Sequence, residues 1–141
     1  MRKSTSLAVA VAAVGTVAIS AAPAHAATVQ RQCGNTVQMC LHYNSSNSGY
    51  GAEFGSQSNI SSFNPSRNGG VSYLFMAGAR GTSGSGYNVW NNAGSAANWS
   101  TTRGFRVYFN SGLSGTNDYI PPSVRSNLPL TKNQDASMGW A

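Results

Sequence analysis

The chain has 141 residues and a formal net charge of +6, from 9 Lys and Arg against 3 Asp and Glu. This length is enough for one domain and too short for two of ordinary size. Only 9% of the residues are charged and 10% are aromatic, which excludes both an acidic disordered tail and a dense basic arm for nucleic acid. The chain is expected to fold as one soluble domain.

Residues 1–26 have the pattern of a cleaved secretory signal peptide. Residues 2 and 3 are basic, residues 7–19 form an apolar run, and Ala24-His25-Ala26 is a small-x-small cleavage site. The run is shorter than the roughly 20 residues needed to cross a bilayer, so a retained membrane anchor is the weaker alternative. We expect a secreted, extracellular domain of residues 27–141 with 7 basic and 3 acidic side chains, hence a net charge of +4.

Export changes the meaning of the two cysteines, because in an oxidising compartment a pair of cysteines normally forms a disulfide. Cys33 and Cys40 are separated by six residues and would close a short loop near the start of the exported domain. Two sulfurs alone make a poor zinc site, and His42 follows them too closely for the usual finger spacing. We predict a structural Cys33–Cys40 disulfide.

Turn-forming residues dominate the exported domain, since 47 of its 115 residues are Asn, Ser or Gly. This argues against long helices. Between the turns lie short stretches with β-branched and aromatic residues, which predict strands. In chain order these are Val37 to Tyr43, Ala52 to Gly55, Val71 to Ala77, Tyr87 to Trp90, Phe105 to Asn110, Asp118 to Ile120 and Ala136 to Trp140. Seven or eight short strands predict an all-β sandwich or barrel.

An internal repeat relates the two halves of the domain. The matching segments, all 66 positions apart, are Tyr43-Asn44-Ser45 with Phe109-Asn110-Ser111, Ser48-Gly49 with Ser114-Gly115, and Phe54 with Ile120. The spacing describes a strand that folds over as a hairpin, with glycine at a position of positive φ. Tyr43 and Phe109 are expected to pack against the folded hairpin. Gly115→Val is therefore expected to disrupt folding more than Gly84→Val, which falls in a Gly/Ser-rich loop.

Each half also ends in a shared Asn/Ser segment. Asn91-Asn92-Ala93-Gly94-Ser95 matches Asn133-Gln134-Asp135-Ala136-Ser137, and a tryptophan follows each, Trp99 or Trp140. Asn91 thus pairs with Asn133, and Ser95 with Ser137. Trp90, Trp99 and Trp140 lie in or beside predicted strands, which favours core positions over a binding platform.

With these motifs the sequence resembles a βγ-crystallin-type domain, whose two Greek keys each carry the aromatic, the glycine and the closing serine. The aromatic stands six residues before the glycine rather than seven. Among such domains the chain most resembles small secreted actinobacterial proteins grouped with a metalloproteinase inhibitor as one peptidase inhibitor family. That resemblance rests on Cys-Leu-x-Tyr-Asn, Asn-Asn-Ala-x-Ser and Val-Tyr-Phe-Asn-Ser-Gly-x-Ser-Gly. It implies one sandwich after the signal peptide, with Greek keys at about 37–99 and 104–141.

The resemblance implies a secreted peptidase inhibitor that binds an extracellular protease tightly, without catalysis, through a rigid loop. The segments to consider are Gly78 to Gly86 and Pro121-Pro122. The alternative is a cell-wall or carbohydrate binding module, or a small antimicrobial toxin, of the same fold, because a net positive domain can adhere to an anionic cell-wall polymer. The basic residues are spread along the chain, so no nucleic-acid partner is expected. No membrane attachment is expected after signal cleavage, and the protein is expected to be a monomer.

Calcium is the one cofactor that the resemblance raises, because βγ-crystallins bind it through loops of the form Asn/Asp-Asn/Asp-x-x-Ser/Thr-Ser. Asn91, Asn92 and Ser95 follow that pattern, but Ala96 replaces the final serine, and the copy with Asn133 and Ser137 departs further. Calcium prefers several carboxylate oxygens, which are scarce here. We predict no cofactor and Asx- and Ser-turns in these loops, with weak calcium binding as the alternative.

Catalytic residues are sparse. His42 is the only histidine of residues 27–141, and strand alternation points it away from Leu41 and Tyr43, which predicts a solvated side chain. By the repeat, Glu53 lies opposite Tyr119, next to Asp118, so topology does not exclude a carboxylate pair. No nucleophile-elbow, metalloprotease or P-loop motif is present in the sequence. We predict that the protein is not an enzyme.

Overall fold

The computed structural model describes residues 26–141, so the predicted signal peptide, apart from its last residue, lies outside the described residues. Nine strands form an all-β domain, and no α-helix occurs within residues 26–141. The strands are β1 (Thr28–Val29), β2 (Met39–His42), β3 (Glu53–Ser56), β4 (Ser72–Tyr73), β5 (Ser95–Asn98), β6 (Phe105–Asn110), β7 (Ser114–Ile120), β8 (Arg125–Asn127) and β9 (Ser137–Trp140). Two single 3₁₀ turns cover Ser46–Ser48 and Pro65–Arg67. No helix of residues 26–141 is long and apolar enough to cross a membrane.

Two antiparallel sheets carry the fold. The first has the strand order β3-β2-β5-β8 and the second β7-β6-β9, while β1 and β4 form a small parallel pair. β8 follows β7 along the chain but pairs with β5 of the first sheet. Conversely, Ile60 from the first half bridges to Met138 of β9 in the second sheet. Each half of the chain therefore contributes backbone to the sheet of the other half.

The core consists of buried side chains that alternate with outward-facing ones along the central strands. Met39 and Leu41 of β2 and Phe105 and Val107 of β6 are fully buried. Other large members are Phe54, Phe63, Phe75, Ile120, Leu128 and Met138. Trp90 and Trp140 are partly buried against this core. Trp99 is 45% exposed, so the prediction of a core position is wrong for this tryptophan.

The predicted strands agree best with the observed strands where aromatic and β-branched residues are dense in the sequence. β6 has the predicted bounds of Phe105 and Asn110. Residues 87–90 form no strand, and only an isolated bridge joins Asn88 to Leu74. β5 was missed because Ser-Ala-Ala-Asn has no β-branched or aromatic residue; it forms because it lies between β2 and β8 in the first sheet. β1 and β8 were missed as well.

The predicted disulfide is confirmed: Cys33 and Cys40 are bonded, with their Cα atoms 5.6 Å apart. Cys40 lies on the outward face of β2 and is fully buried, because the bridge holds the preceding segment over this face. The Gly55 amide donates to the Arg31 carbonyl (2.8 Å), which fixes the same segment to β3. The bridge thus covers one face of the first sheet.

Removal of this bridge is expected to lower stability without abolishing the fold. For so short a loop, the chain-entropy model predicts a loss on the order of 2 to 3 kcal/mol in the free energy of unfolding. Denaturant unfolding of a Cys33→Ala/Cys40→Ala variant measures this loss, and reduced wild-type protein separates the lost cross-link from lost packing. Disappearance of the β signal in far-UV circular dichroism at 25 °C would contradict the expectation.

Candidate functional site

The two repeat hairpins have the same backbone conformation at their glycines. Gly49 has φ of 75° and Gly115 has φ of 81°. Tyr43 packs edge-on against Phe75, with ring centroids 5.8 Å apart. Phe109, its counterpart, is 42% exposed and so differs from the expected packing role. The two turns thus share a left-handed glycine, but their aromatic residues are used differently.

The closing serines make equivalent contacts in the two halves. Ser95 Oγ donates to the Asn44 carbonyl (2.7 Å), and Ser137 Oγ donates to the Asn110 carbonyl (2.6 Å). Ser95 is paired with His42 across β5 and β2. Each serine therefore ties the end of its half to the hairpin that opens that half.

The two Asn/Ser segments also contact each other. Asn91 and Asn133 both have positive φ, 60° and 55°. The Asn91 amide donates to the Asp135 carbonyl (3.0 Å), and the Asn133 amide donates to the Ala93 carbonyl (2.9 Å). Asn92 Nδ2 donates to the carbonyl of Asn88 (2.9 Å). Only the Asn92 bond is local, and the hydroxyl groups of Ser95 and Ser137 bond outside their own segments, so these serines do not form the predicted Ser-turns. Weak calcium binding by these segments stays a prediction.

Asp135 is fully buried between the same two segments. Its Oδ1 accepts a hydrogen bond from the Ala93 amide (2.9 Å), whereas Oδ2 is buried without a partner. Desolvation by burial raises the pKa of this carboxyl well above its usual value, although backbone hydrogen bonds oppose the rise. The side chain therefore has a structural position rather than an exposed catalytic one.

Asp135→Asn is expected to raise the thermal midpoint at pH 7. The raised folded-state pKa means that the contribution of Asp135 to stability is full below about pH 4 and is lost as the pH rises towards the folded pKa. An asparagine can keep the bond from Ala93 and never ionises, so its advantage should grow with pH above about 4. Thermal unfolding of both proteins from acidic to neutral pH measures this difference.

Asp118→Asn is the matched control, because Asp118 accepts hydrogen bonds from the amides of Leu130 and Thr131 and from Thr131 Oγ1. Loss of that carboxylate should destabilise the domain. An Asp135→Asn variant that is less stable than wild type at neutral pH would contradict the assignment of a costly buried carboxyl.

The three carboxylate side chains lie in different elements of the fold and have different hydrogen-bond partners. Glu53 lies in β3 of the first sheet, where its Oε1 accepts from the Cys33 amide (3.1 Å), whereas Asp118 lies in β7 of the second sheet. All three carboxylates are at most 6% exposed. An oxygen of Glu53 and the sulfurs of Cys33 and Cys40 lie within 4.8 Å of one another. Because those sulfurs are bonded to each other, they offer no thiolate to a metal ion.

His42 is only 2% exposed, so the prediction of a solvated side chain is wrong. Strand alternation correctly places it on the outward face of β2, but Tyr50 covers this face, with ring centroids 5.5 Å apart. Its Nε2 lies 3.6 Å from Cys40 Sγ, and its Nδ1 is buried without a partner. Desolvation, then the charges of Arg125 and Arg80, lowers the pKa of His42 to about 4.

Two arginines from different segments converge on Tyr50. The Cζ atom of Arg125 (β8) lies 4.9 Å from the centroid of the Tyr50 ring, and the Cζ atom of Arg80 lies 5.6 Å from it. Tyr50 itself has φ of 65° between Gly49 and Gly51, which both have positive φ. Three successive left-handed residues are unusual and fix the position of this ring. We call Tyr50, Arg80 and Arg125 the Tyr50 cluster.

A cleft of about 270 Å³ adjoins the Tyr50 cluster through Arg125. Its lining residues are Ala97, Asn98, Trp99, Ser123, Val124 and Arg125. Trp99 and Val124 are 45% and 37% exposed, so an apolar wall faces solvent here. The Nε atom of Arg125 is buried without a hydrogen-bond partner. We call this space the Trp99 cleft.

Sequence reasoning did not single out the Tyr50 cluster. Arg80 and Arg125 are far apart along the chain, and their convergence depends on the pairing of β8 with β5. The available signal was the Gly49-Tyr50-Gly51 triplet, an aromatic residue between two glycines. Such a triplet indicates a strained turn that presents a ring at a defined position.

The segment 77–87 is exposed but held in place by hydrogen bonds. Gly78 and Gly81 exchange backbone bonds of 3.2 and 3.1 Å, and the Ala52 amide donates to the Ser83 carbonyl (2.8 Å). The Gly86 amide donates to the Phe75 carbonyl (2.8 Å). Gly84 lies against the ring of Tyr43. The segment is thus a loop that these bonds hold in place; we call it the Gly/Ser loop.

Comparisons of the chain with protein-family models, with curated proteins and with solved structures found no match. The resemblance drawn from the sequence motifs therefore stays a prediction. What the protein does must be inferred from the residues and contacts of the domain itself.

Proposed function

We propose that this chain is a secreted, non-catalytic inhibitor of an extracellular peptidase, built on a βγ-crystallin-type pair of Greek keys. The proposed fold is supported by pairing between the two halves of the chain: β8 of the second half pairs with β5, and Ile60 of the first half bridges to Met138. The equivalent bonds of Ser95 and Ser137 support it as well. The Greek keys would span about 37–99 and 104–141.

A single observation carries the inhibitor proposal: the Gly/Ser loop is exposed and already ordered. Its backbone bonds to Ala52 and Phe75 connect it to the body of the domain. A loop ordered before binding loses little conformational entropy in the complex, and this favours tight binding without chemistry. The Pro121-Pro122 segment is a weaker candidate, since the Val124 amide bonds back to the Pro121 carbonyl in a turn that joins β7 to β8.

A non-catalytic role is supported by the burial of the groups that acid–base chemistry would use. His42 and Glu53 are 2% and 6% exposed, and Asp118 and Asp135 are 6% and 0% exposed. Substrate cannot reach a side chain that the surrounding segments cover.

The test is a titration of the purified protein against a panel of secreted metallo- and serine peptidases. We expect stoichiometric loss of activity of one peptidase while the small protein stays intact. Ser85→Arg places a bulky charge in the exposed Gly/Ser loop and should weaken inhibition at least about tenfold. Thr116→Arg adds the same charge at an exposed residue of β7 and should leave inhibition unchanged. No inhibition of any peptidase, or equal effects of the two variants, would overturn the proposal.

A second candidate function, binding of an anionic cell-wall polymer, is favoured by the distribution of charge. The carboxylate side chains are all buried, whereas Arg31, Arg67, Arg80, Arg103 and Lys132 are exposed and Arg106 and Arg125 are half-exposed. The cations therefore have no exposed carboxylate side chain beside them. Such a surface attracts polyanions at low ionic strength, and the attraction should weaken steeply as salt is added. An antimicrobial action of the same surface would begin with this binding.

A further inference from the structure

We infer that the Tyr50 cluster and the Trp99 cleft form one binding site for an anionic glycan, with the acidic group held by Arg80 and Arg125 and a sugar ring on Trp99. The inference rests on the second candidate function, polymer binding, and names its site. It does not require the inhibitor proposal to hold, although Arg80 belongs to the Gly/Ser loop as well.

Arg80 and Arg125 both lie beside the Tyr50 ring. Their guanidinium groups approach the same Tyr50 ring from two segments, at 4.9 and 5.6 Å from its centroid. Two like charges beside one ring repel each other, and the ring offsets only part of the cost. Buried His42 beside them is held neutral and adds no charge. An anionic group bound beside Arg80 and Arg125 would relieve the repulsion.

Arg125 has a hydrogen-bond donor without a partner. Arg125 Nε is buried and has no hydrogen-bond partner, which is costly for a charged group. Guanidinium nitrogens form charge-assisted, often paired, hydrogen bonds with phosphate and carboxylate oxygens. The buried Nε atom is closed to a ligand in this conformation, but Arg125 lines the Trp99 cleft, so an acidic group there can contact the terminal nitrogens of its guanidinium group.

The rest of the ligand would lie against Trp99. Trp99 presents an indole ring that is 45% exposed, and Ser123, which is exposed as well, also lines the cleft. A flat aromatic surface with polar groups at its edge suits the apolar face and hydroxyl groups of a sugar. An acidic peptide offers the charge but not the flat ring. The combination therefore points to a glycan that carries phosphate or carboxylate groups.

The position of Tyr50 supports a built site. A tyrosine with φ of 65° has adopted a backbone conformation that costs free energy for a non-glycine residue. The conformation places the ring beside His42 and beside both arginines. Strained residues of this kind concentrate at binding sites.

The experiment uses isothermal titration calorimetry at about 50 mM salt, where surface charges are weakly screened. Phosphomannan and polyglucuronate are the phosphate and carboxylate probes, neutral dextran is the uncharged control, and poly-L-glutamate is the peptide control. We expect binding to at least one anionic glycan and none to dextran. The stronger of the two polymers identifies the acidic group.

Arg80→Gln/Arg125→Gln should weaken this binding at least about tenfold, because both charge-assisted contacts are lost. Arg103→Gln/Arg106→Gln is the matched control. It removes the same charge from two arginines that also stack on aromatic rings, those of Trp140 and Tyr119, and should change affinity about twofold at most. Trp99→Ala should weaken glycan binding and leave the thermal midpoint nearly unchanged, because the ring is exposed.

Three outcomes would overturn the inference, and they differ in meaning. No binding of wild-type protein to either anionic glycan would remove the second candidate function itself. Binding that the two double variants weaken equally would retain that function and reject this site. Equally tight binding of poly-L-glutamate, lost in Arg80→Gln/Arg125→Gln, would retain the site and reject a glycan as its ligand.

Discussion

Gly84→Val is expected to lower the free energy of unfolding by more than about 3 kcal/mol, the largest effect of any glycine substitution in the Gly/Ser loop. Gly84 has φ of +86°, and a Cβ atom there would overlap the ring of Tyr43. That ring cannot move aside easily, because it packs against Phe75 and Tyr87 with centroids 5.8 and 5.4 Å away. Steric overlap thus adds to the cost of a left-handed valine.

Gly86→Val is the matched control, since Gly86 has the same φ of +86° and no atom lies within 4 Å of a Cβ placed there. The difference between the two variants isolates the contact with Tyr43. At Gly115 a Cβ would meet the side-chain amide of Asn110, which is exposed and can rotate. The structure therefore reverses the order expected from the sequence, and Gly84→Val should be the more damaging change. Equal thermal midpoints for Gly84→Val and Gly86→Val would refute this argument.

The same contact bears on the proposed inhibitor loop. Tyr43 was singled out in the sequence as the aromatic of a repeat, and its ring supports Gly84 in the loop 41 positions later. A Tyr43→Ala/Gly84→Val variant should lose less stability than the sum of the two single changes, because the smaller side chain leaves room for the valine. If that variant folds but no longer inhibits the peptidase that wild type inhibits, order in the loop is needed for binding.

Local patterns predicted the parts of the fold that local forces determine. The glycines of the two hairpins could be found because left-handed backbone strongly favours glycine, so Gly49 and Gly115 recur at a fixed spacing. The hydrogen-bonding serines, Ser95 and Ser137, could be found because they recur at matching positions of the two halves. β5 shows no such sequence pattern, because Ala96 and Ala97 are buried small residues whose strand conformation is imposed by the neighbouring strands.

The candidate binding site was harder to predict, because it depends on which face of a sheet is covered. Alternation placed His42 opposite Leu41 correctly, but alternation does not say that Tyr50 will lie over the outward face. The exposure of Trp99 at the end of β5 depends in the same way on the absence of a covering segment there. Arg80 and Arg125 meet only through long-range pairing of the chain. These are properties of the tertiary fold, which no short window of sequence contains.

The domain is expected to lose stability as the pH falls from about 6.5 to about 4 because of His42. Folding lowers the pKa of this imidazole from 6.5 to about 4 through desolvation and the charges of Arg125 and Arg80. The unfolded chain then binds a proton that the folded chain excludes, so the contribution is complete above pH 6.5 and is lost on acidification. The full loss is on the order of 3 kcal/mol.

His42→Gln is neutral at every pH and should lack this component, so the difference between its acid unfolding curve and that of wild type gives the size of the effect. The comparison is needed because Asp135 contributes with the opposite sign over an overlapping range, with its pKa raised by burial. Titration of the folded wild-type protein by NMR follows the imidazole directly. A His42 signal that titrates near pH 6.5 in the folded state would contradict the prediction.

His42 also provides a reporter for the proposed anion site. Desolvation is the largest cause of the lowered pKa of His42, and the charges of Arg125 and Arg80 add to it. An anionic group bound beside these arginines should offset their charges and raise that pKa in part. Arg80→Gln/Arg125→Gln should raise it without any ligand and remove the response to phosphomannan or polyglucuronate. Arg103→Gln/Arg106→Gln should leave both the pKa and the response intact. A polymer that binds wild type without moving the pKa of His42 binds elsewhere on the cationic surface.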